Sequence, residues 1–470
     1  MRRSTGKLLT SSSYLSNYLA KWLVVSCVIG ITVGLLAHVF HLLLQCSTHF
    51  FLSTLAGYVV PKPLGELGEV AIEELMEVEK GTRVLRPWAL PLITCLGGLV
   101  AGLLVFKLAP ETRGAGTDAV ITAFHYRGFI RARVPLIKLI SSAITIGSGG
   151  SAGTQGPIAQ IGAGIGSIVA SLFRLSERDR RIALAVGMGA GIGAIFKAPL
   201  GGALFGAEVL YRRDFEIEVL YPALIASVVG YGVYVSFTSS RPIFGMHIGY
   251  VNPGTLPLYA VLGVICGLLG RLYVISFYSI RRFFDNMKVP NYLKPAIGGM
   301  LTGVIGSVCP HILETSYGWL QRAIMCDFDV FEVYGVPAAV TLLVLAMLKM
   351  LATSLTVGSG GSGGVFAPSL VIGGFVGSSL GLIASYIHPD LVTIDEVKFM
   401  TIVGMTSFFA GVAKTPLSTM VMVLEMTGSL NLLPHAMIAT VLSYLISGDY
   451  TIYRSQLATR RESPVHNLIN

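Results

Sequence analysis

Residues 147–167 read GSGGSAGTQGPIAQIGAGIGS, and residues 358–378 read GSGGSGGVFAPSLVIGGFVGS. At this offset of 211, 11 of the 21 positions are identical, and upstream Lys138 falls on Lys349. A second pair follows at an offset of 217. There VGMGAGIGAIFKAPLGGALFGAEVL from Val186 aligns with VGMTSFFAGVAKTPLSTMVMVLEM from Val403, placing Lys197, Pro199, Leu200 and Glu208 on Lys414, Pro416, Leu417 and Glu425. Gly97-Gly98 aligns more weakly with Gly298-Gly299. The chain therefore reads as two homologous halves, roughly 88–215 and 290–430.

Around these halves the composition is that of a membrane protein. Of 470 residues 53% are hydrophobic and 13% charged, about half the charge of a soluble domain. Residues 22–45, 88–106, 183–211, 257–280, 335–357 and 399–424 form apolar runs near or beyond the roughly 20 residues that span a hydrocarbon core. The shorter runs 134–146, 157–173 and 436–447 read as half-spans or re-entrant helices. An all-α membrane fold with many tilted and re-entrant helices is expected, and the halves are expected to have inverted topology.

The net charge of +9 does not point to nucleic acid. Its arginines and lysines cluster at ends and short loops, such as Arg2-Arg3, Arg174–Arg181, Arg212-Arg213, Arg281-Arg282 and Arg460-Arg461, as in cytoplasmic loops. The first apolar run is too long for a signal peptide. Residues 1–20 then form a cytoplasmic N-terminal segment, 21–455 the conducting domain and 456–470 a short cytoplasmic tail. One crossing puts the acidic stretch 50–86 outside, as a solvated loop with a short helix. The six cysteines show no CxxC spacing, so neither a disulfide framework nor a metal site is indicated. His38 and His41 could share a helix face but have no nearby carboxylate, which favours packing.

Repeated Gly/Pro-interrupted segments in corresponding halves point to a midplane site. Non-helical backbone survives at that depth only where it lines a cavity or is buried in protein. Pro157 and Pro368 each open an apolar helix, and such a helix start carries about half a positive charge with free N–H groups. Two starts aimed at one point would hold a dehydrated anion, weakly enough for release. Close helix packing is the alternative, and it is the better reading of GAGIGS at 162–167. The loops lack the GK[ST] ending of a phosphate loop. Lys138 and Lys349, charged within apolar stretches, would supply positive potential for an anion, or else snorkel to an interface.

At these residues the chain resembles the CLC family of chloride channels and transporters, over about residues 20–460. The family motif GSGIP looks like Gly114-Ala115-Gly116-Thr117-Asp118, GREGP like Gly153-Thr154-Gln155-Gly156-Pro157, and GxFxP like Gly364-Val365-Phe366-Ala367-Pro368. The late tyrosine that contacts the central anion looks like Tyr453. The resemblance implies an anion site made by Gly114, Ala115, Gly116, Gln155, Gly156, Pro157, Val365, Phe366 and Tyr453. It also implies bound chloride with no other cofactor, a homodimer with one pore per subunit in the cell membrane, and both termini cytoplasmic. Cytoplasmic CBS domains are expected to be absent.

The departures bear on mechanism. The gating glutamate of proton-coupled members is Gln155 here, which cannot ionise. The second of their paired inner glutamates is Val209, after a retained Glu208. Without both carboxylates a passive chloride-type channel or uncoupled uniporter is expected. The alternative is an H+/Cl− antiporter in which Glu208 or another acid carries the proton. Ala115 lacks the hydroxyl of the motif serine, which bears on chloride preference. No HExxH, paired helical Asp or Ser/His arrangement suggests an enzyme.

Overall fold

The computed structural model describes residues 5–66, 85–245, 252–332 and 335–467, and every named element among them is helical. Helix α1 (Thr5–Thr48) continues as a π-helical turn to Leu55. Then come α2 (Ala89–Leu108), a 3-10 turn at Pro110–Thr112, α3 (Thr117–Thr122), α4 (Arg133–Gly147) and α5 (Gln155–Leu172). They are followed by α6 (Glu177–Ile195), α7 (Pro199–Glu208) and α8 (Ile217–Val235). Helix α9 (Leu256–Asn286) leads to α10 (Lys294–Val308), a 3-10 turn at Pro310–Ile312, α11 (Tyr317–Ile324), α12 (Ala338–Gly358) and α13 (Phe366–Ile387). The series ends with α14 (Ile394–Ala413), α15 (Pro416–Thr427) and α16 (Leu433–Ile446). The succession from α2 to α8 recurs element for element from α10 to α16. Each copy thus reaches one helix beyond the expected limits of 215 and 430.

Among the described residues, seven helical segments are long and apolar enough to cross a membrane. One is α8, which is absent from the expected runs: Glu218 lies in its first turn and Pro222 inside it, and the helix runs unbroken. Two expected spans are corrected. Residues 183–211 and 399–424 are not continuous helices; each breaks at a lysine with left-handed backbone, Lys197 (φ 53°) and Lys414 (φ 59°). A proline two residues on cannot donate to the preceding turn and disfavours helical backbone in the residue before it. The chain therefore restarts as α7 on Pro199 and α15 on Pro416. The lysine ammonium groups hold the breaks in place. Lys197 Nζ donates to the carbonyls of Gly65 (2.8 Å) and Arg241 (3.0 Å), and Lys414 Nζ to Ser447 Oγ (2.5 Å).

Of the acidic stretch 50–86, the described parts are the π-helical turn, a 3-10 turn at Leu64–Glu66 and the residues around them; 67–84 lie outside the described residues. The GAGIGS string serves packing. A Cβ on Gly162 would lie 2.1 Å from the carbonyl oxygen of Gly187, so α5 and α6 touch backbone to backbone. Gly373 and Gly404 repeat the contact between α13 and α14. The first turns of α5 and α13 lie in the interior, with every residue of Gln155–Ser167 and Phe366–Ser379 buried.

Candidate anion site

The two glycine-rich loops meet. Gly153 N–H donates to the Gly364 carbonyl at 2.7 Å, and Gly364 N–H returns the bond to Gly153 at 2.6 Å. The Gly114–Gly116 loop joins them: Gly363 N–H donates to Gly114 O at 3.3 Å. Gly156 shows how tightly the three segments converge, since a Cβ there would sit 1.8 Å from Ala115 O and 3.1 Å from the Gly364 Cα. Gly114 and Gly116 have φ of 72° and 89°, a region glycine enters without steric cost.

The helix starts beside this junction are bare. Neither α5 nor α13 has a side-chain cap. Their first backbone bonds run from Ile158 N–H to Thr154 O and from Ser369 N–H to Val365 O. The N–H groups of Gln155, Gly156, Phe366 and Ala367 precede those bonds, and they are the orphan donors of a helix N-terminus. Gln155 is completely buried, and neither its Nε2 nor its Oε1 has a hydrogen-bond partner. The Phe366 ring is wedged edge-on between Phe196 and Phe409, at centroid distances of 5.0 and 4.7 Å.

Tyr453 arrives on a segment that other residues hold. Tyr278 Oη donates to Ile452 O at 2.7 Å, and Ser455 N–H donates to Asp118 Oδ1 at 2.9 Å. Gln456 Nε2 bridges the carbonyls of Val209 and Ala413 at 3.0 and 2.9 Å. Tyr453 is thereby buried beside the start of α3, facing Thr117. The sequence motifs assign no role to the positioning groups Asp118, Tyr278 and Gln456. Asp118 alone was visible, as the last residue of GAGTD.

Lys138 and Lys349 are committed to backbone. Lys138 Nζ donates to the carbonyls of Thr112 (3.0 Å) and Gly114 (2.7 Å). Lys349 Nζ donates to the carbonyls of Ile312 (2.9 Å) and Glu314 (2.8 Å) and to Ser316 Oγ (2.8 Å). The arrangement is the same in each half, and each lysine anchors the loop that follows a 3-10 turn.

The carboxylate of Glu208 is also occupied. It accepts from the N–H groups of Leu417 (3.0 Å) and Ser418 (2.7 Å), capping α15. Glu425 reciprocates at the start of α7, accepting from Leu200 (3.2 Å) and Gly201 (2.7 Å). Val209 is fully buried.

A cavity opens on either side of the junction. One, of about 710 Å³, lies toward the end of α1 and reaches Thr154 and Phe196. The other, of about 680 Å³, is lined by Gly114, Ala115, Gly116 and Ile452, and by Arg113, Arg127, Arg131 and Arg281 against Glu111 and Asp118. An excess of cationic side chains in a cleft concentrates anions at its mouth.

The geometry has counterparts among known proteins. The family model for voltage-gated chloride channels matches residues 97–448. The H(+)/Cl(−) exchange transporter ClcA of Salmonella arizonae is 30% identical over 437 residues, 89% of this chain and 88% of the relative. A slow cyanobacterial Cl−/H+ antiporter superposes with a TM-score of 0.75 at 22% identity, over 91% of this chain and 94% of its own. A CLC-type fluoride/proton antiporter gives 0.73 at 21% identity, over 94% and 98%. The repeated element order is thus the pair of inverted halves of the CLC fold, and the chain belongs to the voltage-gated chloride channel (CLC) family of membrane anion transporters and channels.

Proposed function

We propose that this chain conducts chloride-type anions passively, as a channel or uncoupled uniporter. The anion rests between the starts of α5 and α13, against the Tyr453 hydroxyl and the Gly114–Gly116 loop. The observation that carries this is the Gln155 amide, buried with no protein partner. An unpaired buried amide costs about 1–3 kcal/mol, which a permeating anion accepting from Nε2 would offset. An amide cannot ionise, so it offers neither a competing negative charge nor a proton carrier. Glu208 is bound up as a helix cap, and Val209 cannot titrate.

The second reading, H+/Cl− exchange, is favoured by one observation: the relatives named above are exchangers. It would need a carboxylate free to swing between the anion position and the cytoplasm, whereas both obvious positions are filled by Gln155 and Val209. The remaining features of the reading are a homodimer with a pore in each subunit, residence in the cell membrane, and both termini on the cytoplasmic face. Efflux from proteoliposomes, compared for chloride, nitrate and fluoride, tests the activity. Chloride efflux that dissipates its gradient supports the reading, and no efflux of any of the three contradicts it.

A further inference from the structure

The cavity at the end of α1 has an unexpected wall for an anion path: Glu66 and Glu314 both line it, together with Thr154, the residue before Gln155. Glu314 occupies a singular place in the repeat. At an offset of 200, the turn Pro310–Ile312 matches Pro110–Thr112, and the Lys349 acceptors Ile312 and Glu314 match the Lys138 acceptors Thr112 and Gly114. Glu314 thus stands where the first half has a glycine, and it keeps that glycine's left-handed backbone, with φ of 57° against 72°. A side chain there is strained, and such strain persists where the surroundings impose it. The carboxylate is held by the next residue: Oε2 accepts from Thr315 N–H (2.8 Å) and Thr315 Oγ1 (2.7 Å). Among the described residues Oε1 accepts no hydrogen bond.

Resting on the anion-conduction reading above, we propose that Glu314, with Glu66 beside it, is the protonatable gate of this chain. Ionised, the pair repels anions from the cavity that reaches Thr154; protonated, it admits them. The gating charge, absent at position 155, then lies on the loop after the Pro310–Ile312 turn of the second half. The groups facing the pair are Lys349 behind the Glu314 carbonyl, Lys62, His41 and His49 in the cavity wall, Lys197 near Glu66, and the phenols of Tyr58, Tyr234 and Tyr317. Of the lysines, Lys349 and Lys197 are engaged by carbonyls. Both carboxyls lie outside the membrane-spanning helices. Burial pushes each above the usual carboxylate range, and the charge of Glu66 raises Glu314 further. Raised acids take up protons in mild rather than strong acid, so the gate opens as pH falls through that range.

The test is chloride efflux from proteoliposomes with equal pH on both faces, stepped from 7.5 to 4.5. Wild-type efflux is expected to rise at least tenfold toward acid. Glu314→Gln, a mimic of the protonated form, is expected to run near the acid rate at every pH, and Glu66→Gln to narrow the rise. A folded, conducting Glu314→Gln variant that keeps the wild-type pH profile overturns the gate, as does wild-type efflux that is flat or rises toward alkali. Absence of chloride efflux at every pH in both proteins overturns conduction itself, and the two failures are thereby distinguished. Should Glu314→Gln alone fail to assemble, Glu314→Gly, which restores the glycine of the first half, takes its place with the same expected profile.

Discussion

Glu208 takes two hydrogen bonds from Ser418, 210 residues away, at 2.7 Å from the N–H and 2.5 Å from the hydroxyl. With Glu425 at the start of α7, this makes α7 and α15 an antiparallel pair in which each helix ends in the cap of the other. A carboxylate at a helix N-terminus satisfies orphan donors and meets the positive end of the dipole. It is poorly suited to shuttle protons while so engaged.

Glu208→Ala should therefore act on stability. Loss of this cap is expected to cost about 1–3 kcal/mol, seen as a lower unfolding midpoint in detergent, with chloride flux per folded molecule within about twofold. A flux collapse with unchanged stability would assign Glu208 to transport instead.

Gln155→Glu places an ionisable group where the unpartnered amide lies. Two charges 4 Å apart interact by about 4 kcal/mol at an effective dielectric of about 20, so flux at pH 7 should drop at least about tenfold and recover in acid. The same flux at both pH values would show that this side chain does not face the anion.

Ala115→Ser adds a hydroxyl donor to the Gly114–Gly116 loop. Chloride binding is expected to tighten by the worth of one hydrogen bond to a charge, about 1.5–3 kcal/mol at most, measured by calorimetry. An unchanged affinity would remove that loop from the chloride site.

Gly156→Ala cannot be accommodated while Ala115 O lies 1.8 Å from the new Cβ. Chloride binding by calorimetry should be lost, and assembly impaired, whereas Gly232→Ala, with nothing within 4 Å of its Cβ, should behave as wild type. Normal binding by Gly156→Ala would show that the junction of the loops is looser than described.

What the sequence disclosed followed from residues whose behaviour is local. Gly153, Pro157, Gly364 and Pro368 set backbone options by themselves, so two uncapped helix starts could be foreseen; their mutual hydrogen bonds could not. The breaks at Lys197 and Lys414 are hidden because hydropathy averages across a lysine and a proline inside an apolar run, although the two segments align residue for residue. The lysines Lys138 and Lys349 were visible as charges at depth, but their carbonyl partners lie 24 to 37 residues away and belong to tertiary structure. Glu314 left no trace as a site residue, since of the segment after Pro310 little beyond that proline matches the segment after Pro110. Only the shared backbone, and the shared lysine anchor, align the two.

The most direct measurement of passive conduction is proton movement recorded alongside chloride in proteoliposomes loaded with a chloride gradient and no pH gradient. With Gln155 and Val209 in the places of the proton carriers, chloride should run down its gradient while the internal pH stays level. Protons driven uphill in fixed proportion to chloride would contradict it.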